Sequence, residues 1–379
     1  MINRANRTVY IVPIEPLEER YTAQWYKNVP QFFEDQGENV VVVDGMPLST
    51  EVKVGTFLDI NSTVAYKNSQ LVYIARMFHE GIVQAGDIFY FADIEFWGLE
   101  SVRLMAQLNG IEVSIYGFLH AASYTVEDAF AVAAPYQKYT ELGWIASCDG
   151  VFVGSNYHKQ AVIDRRIVPY ADPSDRVTLA NKIFVTGNPL FESDYAKIDV
   201  KKKHQIIISN RFDYEKRPNL SLDLALILKQ RDPTLEILVT TSRPVFKSNK
   251  AWLVDFARAM ESMGIITIYD GLSKAEYHKH LAESKVFLSN SIEESFGYCL
   301  VEACVYDVAP MCANKYSHSE ILQGNMRFMF EDEDEIVPKI EDLLKTDIIN
   351  TSEYATPYYR SLSKMWNIMK VGAGKKSRR

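Results

Sequence analysis

Cysteine is scarce: the 379 residues hold four, Cys148, Cys299, Cys304 and Cys312, in apolar surroundings and with no CxxC spacing. A disulfide-stapled scaffold and a cysteine metal cage are thereby excluded, and buried reduced thiols are expected, as in a cytoplasmic protein. Long apolar runs are missing too. No stretch of about 18 uncharged apolar residues occurs, the length a membrane-spanning helix needs. Residues 1–7 are polar and the apolar run 8–14 is strand-length, so no secretory leader is read and a soluble, cytoplasmic protein is expected. Nor is there an excess of basic residues. A net charge of −8 argues against a broadly basic face for nucleic acid while leaving room for a local basic groove. The dense basic cluster Lys375-Lys376-Ser377-Arg378-Arg379 follows Gly372-Ala373-Gly374 and reads as a flexible tail. Internal repeats are absent, and the acidic run Glu331-Asp332-Glu333-Asp334-Glu335 is placed to open a helix at Ile336 through its dipole.

What is present is the pattern of an α/β protein long enough for two cores. Short β-branched runs each precede a helical pattern, the mark of parallel βαβ units. In the first half, strands are predicted at 8–14, 39–43, 87–91, 112–116, 150–153 and 182–186, with helices at 21–36, 69–84 and 100–109. The second half restarts the pattern, with strands at 205–209, 236–240, 265–269, 286–289 and 308–311 and helices at 220–229, 251–263, 274–283 and 297–305. The charged, weakly patterned stretch 191–204 reads as the linker. Two doubly wound, Rossmann-like domains are therefore predicted: 1–193, 194–352, and a last segment, 353–379, whose helix crosses back to the first domain before the basic tail. Ligands of such sheets bind at the carboxyl ends of the strands, so the expected site is the cleft across which the domains face.

The segment Ser291-Ile292-Glu293-Glu294-Ser295-Phe296-Gly297-Tyr298-Cys299-Leu300-Val301-Glu302 carries the strongest local signal. A strand ends, a turn follows, and a helix opens near Gly297 with its free N–H groups toward the strand ends. Glu294 in the turn and Glu302 inside the helix could both accept hydrogen bonds from one polyhydroxylated ligand. Taken alone, they also read as ordinary helix-start and surface residues. Arg211 and Lys216, five apart in the loop after strand 205–209, could converge on a diphosphate and stabilise a departing phosphate without a metal. Taken alone, they also read as a solvated charge cluster. Asp93-Ile94-Glu95 follows a strand and has the form of an Asp-x-Asp metal motif, but the cationic pair already covers a diphosphate and no metal is expected. His278 and His280 stand two apart on a helix, so their rings do not share a face.

The segment around Glu294 and Glu302 resembles the E-x7-E element of retaining family 4 glycosyltransferases, which share the two-domain GT-B fold. That resemblance implies that Glu294 contacts the donor sugar, that Glu302 holds the ribose, and that backbone after Phe296-Gly297, around Tyr298 and Cys299, faces sugar and diphosphate. Arg211 and Lys216 match the family's Arg-x4-Lys pair. Tyr269-Asp270-Gly271-Leu272 resembles its glycine-ended strand beside the nucleotide base, with Tyr269 and the Leu272 backbone as base contacts. Residues 314–320 fall where the family has a loop near the diphosphate, and His120 where it has a histidine near the donor sugar. The family's Gly-Gly loop after the first strand is missing; Pro13-Ile14-Glu15-Pro16-Leu17-Glu18-Glu19-Arg20 stands there instead.

The resemblance implies a retaining transferase of hexosyl or pentosyl groups that takes a UDP- or GDP-sugar and needs no metal. The route would be front-face, with the leaving phosphate accepting the proton of the acceptor hydroxyl. On the acceptor side the candidates are Asp93, Glu95, Trp97 and Tyr124, with Trp25 as a further stacking surface. The first half also resembles phage-encoded glycosyltransferases, some of which act on hydroxymethylated bases, so a flipped DNA base stands beside a glycan or small molecule as acceptor. A nucleotide-sugar epimerase or a non-catalytic sugar-nucleotide binder of the same fold is the alternative reading. The epimerase would need further acid/base residues, which the sequence does not supply.

Overall fold

A computed structural model describes residues 7–17, 21–46, 60–125, 135–241, 243, 245–346 and 349–376. It divides the chain into two compact units, one of residues 1–191 with 360–379, the other of 192–359. Each is built on one six-stranded, all-parallel sheet.

The first sheet runs β2-β1-β3-β4-β5-β6, from β1 (Thr8–Val12), β2 (Asn39–Val42), β3 (Ile88–Phe91), β4 (Ser114–Phe118), β5 (Gly150–Val153) and β6 (Ile183–Val185). Successive side chains of a strand point to opposite faces, and both faces here are covered. Val9, Ile11, Ile88 and Tyr90 pack with Trp25, Phe33 and Trp366 on one side. Tyr10, Val12, Phe89 and Phe91 pack with Ile74, Phe78 and Val102 on the other. Order reverses at β1, whose neighbours are β2 and β3, so the carboxyl ends of β1 and β3 flank the switch point where such sheets hold ligands.

The second sheet runs β12-β11-β10-β7-β8-β9, from β7 (Gln205–Ile208), β8 (Glu236–Thr240), β9 (Thr267–Tyr269), β10 (Val286–Ser289), β11 (Ala309–Ala313) and the two-residue β12 (Met329–Phe330). Here β7 lies between β8 and β10, and the switch point falls between the ends of β7 and β10. Helices Pro218–Arg231, Ala251–Ser262, Lys274–Glu283 and Tyr298–Val305 follow four of these strands.

Element boundaries depart from expectation where a glycine or a packing contact decides. The second helix spans Ile60–His79, not 69–84. Gly81 at φ 68 ends it, with Gly81 N–H donating to Phe78 and Ile82 N–H to Met77, so the chain cannot continue helically to 84. The strand expected at 112–116 is Ser114–Phe118, because Ser114 is the residue that pairs with Ile88. A π-helical turn, Ile163–Ile167, and β12 carried no pattern in the sequence. The largest correction is at the C-terminus. Gly372, Ala373 and Gly374 are not the start of a tail but part of helix Ser361–Lys376; Ser377, Arg378 and Arg379 lie outside the described residues.

Packing explains how Gly372 survives in that helix despite a cost of about 1 kcal/mol relative to alanine. The backbone of Gly372 lies so close to the Tyr116 hydroxyl that an added Cβ would sit 1.9 Å from it. Tyr116 is buried and stacked on Phe152, so it has no room to retreat. Gly372→Ala is expected to cost roughly 1–3 kcal/mol by overpacking. Adding Tyr116→Phe should return most of it, and urea unfolding of the two single variants and the double variant measures the difference.

Candidate functional site

In the second unit, β7 delivers Asn210-Arg211 and the short 3-10 turn Tyr214–Lys216, while β10 delivers Asn290 to Gly297. The two loops are joined by a backbone bond, Ile292 N–H to Glu215 O at 2.8 Å. Lys216 Nζ donates to Glu294 Oε2 at 2.6 Å, with the two side chains 12% and 18% exposed. Burial alone would push the Glu294 carboxyl up. The Lys216 ammonium, reinforced by His318 and Arg211, holds it below the usual carboxylate range instead. Arg211 points to Glu215 at 3.0 Å and Asp213 at 3.8 Å, and its charge also acts on Glu294.

Three left-handed residues set the turns of this region. Arg217 at φ 49 separates Lys216 from helix Pro218–Arg231, Gly297 at φ 84 caps helix Tyr298–Val305, and Tyr316 at φ 61 opens helix Tyr316–Ile321. Left-handed backbone costs a non-glycine residue on the order of 1 kcal/mol or more, and such strain clusters at functional sites. At Gly297 any Cβ would stand 3.1 Å from Glu294 Cγ. After Tyr316, Ser317 N–H donates to Glu294 O at 3.3 Å and Ser317 Oγ to Phe296 O at 3.0 Å. His318 is buried and pushed down by that burial, against the pull of Glu294, so its imidazole is neutral at pH 7. The sequence placed a loop here but did not single out His318.

Glu302 is buried, on the inward face of helix Tyr298–Val305. Tyr195 Oη donates to Glu302 Oε1 and Tyr277 Oη to Glu302 Oε2, both at 3.1 Å, and Lys274 Nζ lies 3.3 Å from Oε1. Lys274 and Tyr277 arrive on a helix begun by a capping box, Ser273 with Glu276, directly after Gly271-Leu272. Cys299 Sγ donates to Ser209 O at 3.2 Å. Tyr298 and Phe296 meet edge to face, with ring centroids 5.2 Å apart. Tyr269 lies against His280 at a tilt of 32°, with centroids 4.6 Å apart.

In the first unit, one helix gathers the carboxyl ends of three strands. From Ile60–His79, Thr63 Oγ1 donates to Glu15 Oε2 at 2.9 Å, Tyr66 Oη to Asp44 Oδ1 at 2.6 Å, and Lys67 Nζ to Asp93 Oδ2 at 3.0 Å. Lys67 also donates to the Glu95 carbonyl and lies 5.2 Å from the Trp97 ring centroid. Gln70 bonds the carbonyls of Pro13 and Val43. Burial would raise the Asp93 carboxyl, but Lys67, then His120, hold it below its ordinary value. Asp93 thus has a cation from its own chain. Among the described residues no group of three or more His, Cys, Asp or Glu is placed to hold a metal ion.

His120 donates from Nε2 to Ala92 O at 2.8 Å and packs on Trp25 and Phe118, and burial pushes its pKa down. Trp25, expected as a ligand-stacking surface, is 1% exposed and lies edge-on to Phe118, so it is a core residue. Asp93, Glu95 and Trp97 come together around Lys67. Tyr124 packs against the same core cluster as Trp97 and lies under the Arg166 guanidinium at 4.8 Å. Lys67 was missed although it is the lone charge from 60 to 75, and its burial is visible only once the helix crosses the sheet edge.

Residues 192–361 match the family model described as "Glycosyl transferases group 1", a span that nearly coincides with the second unit. Solved structures extend the likeness to the whole chain. A sucrose-phosphate synthase from Thermosynechococcus elongatus superposes with a TM-score of 0.66 at 11% identity, over 98% of each chain. A glycosyltransferase from Rickettsia africae gives 0.63 at 15% identity, over 97% of this chain and 98% of that one. A pneumococcal O-GlcNAc transferase, solved in complex with UDP and GlcNAc, gives 0.61 at 9% identity, over 97% and 99%. Residues 192–361 therefore carry a glycosyltransferase group 1 domain, and the chain has the GT-B fold of two Rossmann-like units.

Proposed function

We propose that this protein is a retaining glycosyltransferase that moves a sugar from a UDP- or GDP-sugar to a hydroxyl acceptor. The observation that carries the reading is the Lys216–Glu294 pair at the switch point of the second sheet, inside the span that matches the group 1 family. A half-buried ammonium beside a carboxylate kept ionised can do two jobs at once. Lys216, with Arg211 alongside, neutralises charge growing on the departing diphosphate, and Glu294 accepts hydrogen bonds from sugar hydroxyls. Glu302 holds the ribose. Phe296, Gly297, Tyr298 and Cys299 line the diphosphate and sugar side, and Tyr269, Gly271 and Leu272 the base side. The leaving phosphate takes the acceptor proton, and no protein base is assigned.

In the first unit, Asp93, Glu95 and Trp97 are assigned to the acceptor, with Tyr124 as an outlying contact and His120 as a sugar-orienting group. A hydroxyl of a glycan, a small molecule or a hydroxymethylated DNA base fits a carboxylate held ionised by Lys67, because such a group accepts but does not readily take a proton.

Thermal shift against nucleoside diphosphates and their sugars tests the donor site, since a ligand that binds only the folded state raises the Tm by mass action. One nucleotide series should produce a clear rise. Glu302→Ala should weaken that nucleotide's binding roughly ten-fold or more while changing kcat less, as loss of a ground-state contact predicts. No shift with any nucleotide, or a Glu302→Ala variant that loses kcat but keeps affinity, would overturn the assignment.

A further inference from the structure

The stretch 192–204 enters the second unit with one buried side chain, Tyr195, and is tied at its far end by Lys202 Nζ to Tyr306 O, Lys203 Nζ to Glu283 and His204 to Asp232. Every residue in it is exposed or half-buried except Tyr195. The Tyr195 ring lies against His278, with centroids 5.3 Å apart and planes 27° from parallel, and edge-on to Tyr359. Its hydroxyl reaches Glu302 Oε1, while Tyr277, from another helix, reaches Oε2. A carboxylate has about four acceptor positions; one phenol stands on each oxygen and Lys274 Nζ lies 3.3 Å from Oε1, so Oε2 is the oxygen left with a position to offer. Both phenols are raised well above their ordinary pKa, by burial first and the Glu302 charge second, so each stays a donor at any pH the protein survives.

Two rigid donors from different elements fix a carboxylate in a way one flexible side chain does not. A carboxylate fixed in rotation presents its remaining acceptor position in one geometry, which suits one hydroxyl in a set place and penalises a ligand that lacks it. We propose that Tyr195 and Tyr277 are positioning residues that hold Glu302 to select ribose over 2′-deoxyribose, and that through Tyr195 the occupancy of this carboxylate is transmitted to segment 192–204. The inference rests on the assignment of Glu302 to the ribose.

The test uses the full chain, with UDP or GDP, whichever raises the Tm, and its 2′-deoxy counterpart, titrated calorimetrically into wild type, Tyr195→Phe and Tyr277→Phe. Wild type should prefer the ribonucleotide by roughly ten-fold or more, the worth of one hydrogen bond to a charged group. Either variant should lose most of that preference by binding the ribonucleotide more weakly, with the deoxynucleotide little changed. Tyr195→Phe alone should also speed tryptic cleavage after the exposed Lys197 and Lys201, and nucleotide should slow that cleavage in wild type but not in this variant. If one variant fails to fold, the other still measures the preference. A wild type that binds neither diphosphate overturns the donor-site assignment and this inference with it. A wild type that binds, with both variants keeping its full ribose preference or with Tyr195→Phe cleaved no faster, overturns this inference alone.

Discussion

Lys216→Met should lower kcat/KM for sugar transfer by roughly 10²–10³-fold, the loss seen when a preorganised electrostatic contact to a developing anion is removed. It should also destabilise the second unit by roughly 3–5 kcal/mol at pH 7.5, because it strands a buried carboxylate without its partner. The two effects separate by pH. In wild type the Glu294 carboxyl is held below its ordinary value, so the pair stabilises the fold above pH 4.5 and that contribution is lost as pH falls further. In the variant, burial acts unopposed by Lys216 and the carboxyl takes up a proton at higher pH. The stability gap between variant and wild type should therefore be widest at neutral pH and narrow toward pH 4, as urea unfolding at both values would show. Lys216→Arg keeps the charge and should recover stability more fully than activity, since the guanidinium fork does not reproduce an ammonium's reach. Unchanged turnover in Lys216→Met would overturn the catalytic assignment whatever happens to stability.

Acid should weaken the second unit well before its carboxylates titrate. Burial pushes the His278 imidazole down to about 4, from about 6.5 in an unfolded chain. The nearby Glu302 pulls the other way and Lys274 adds to the depression. Between those pH values the unfolded chain holds a proton that the folded one does not, so stability is full above pH 6.5 and falls as pH drops toward 4. The loss approaches about 3 kcal/mol for this one group. His318 is displaced in the same direction and steepens the slope. His278→Phe keeps a ring against Tyr195 and Tyr306 but cannot protonate. Its unfolding free energy should fall less between pH 6.5 and 4 than that of wild type. Equal slopes would show that His278 is not the responsible group.

Both sheets were legible in the sequence because buried parallel strands are continuous β-branched runs, and 150–153, 236–240 and 286–289 match to the residue. The turn at Glu294 and the helix around Glu302 were legible because a turn-then-helix pattern carries its own local geometry, and the structure gives the two carboxylates cationic and phenolic neighbours. What was not legible depends on elements far apart in sequence. Lys67 and Asp93 are 26 residues apart and meet only because a helix lies over the strand ends. Tyr195 and Glu302 are separated by 107, and nothing about an isolated tyrosine in a charged stretch announces a buried donor. Trp25 failed in the opposite sense, since an aromatic that sequence makes available for stacking is consumed by Phe118 and His120.

The division of the chain has a consequence for its synthesis. Residues 192–359 are contiguous, whereas the unit that begins earlier is completed only by 360–379. Until helix Ser361–Lys376 has left the ribosome, the face of the first sheet that bears Tyr90, and Phe33 of helix Tyr21–Asp35 packed on it, lack Met365, Trp366 and Met369. The part of the protein translated first is thus the part finished last. Premature termination near residue 360 would therefore leave a complete second unit tethered to a first one with an exposed aromatic surface, prone to aggregate.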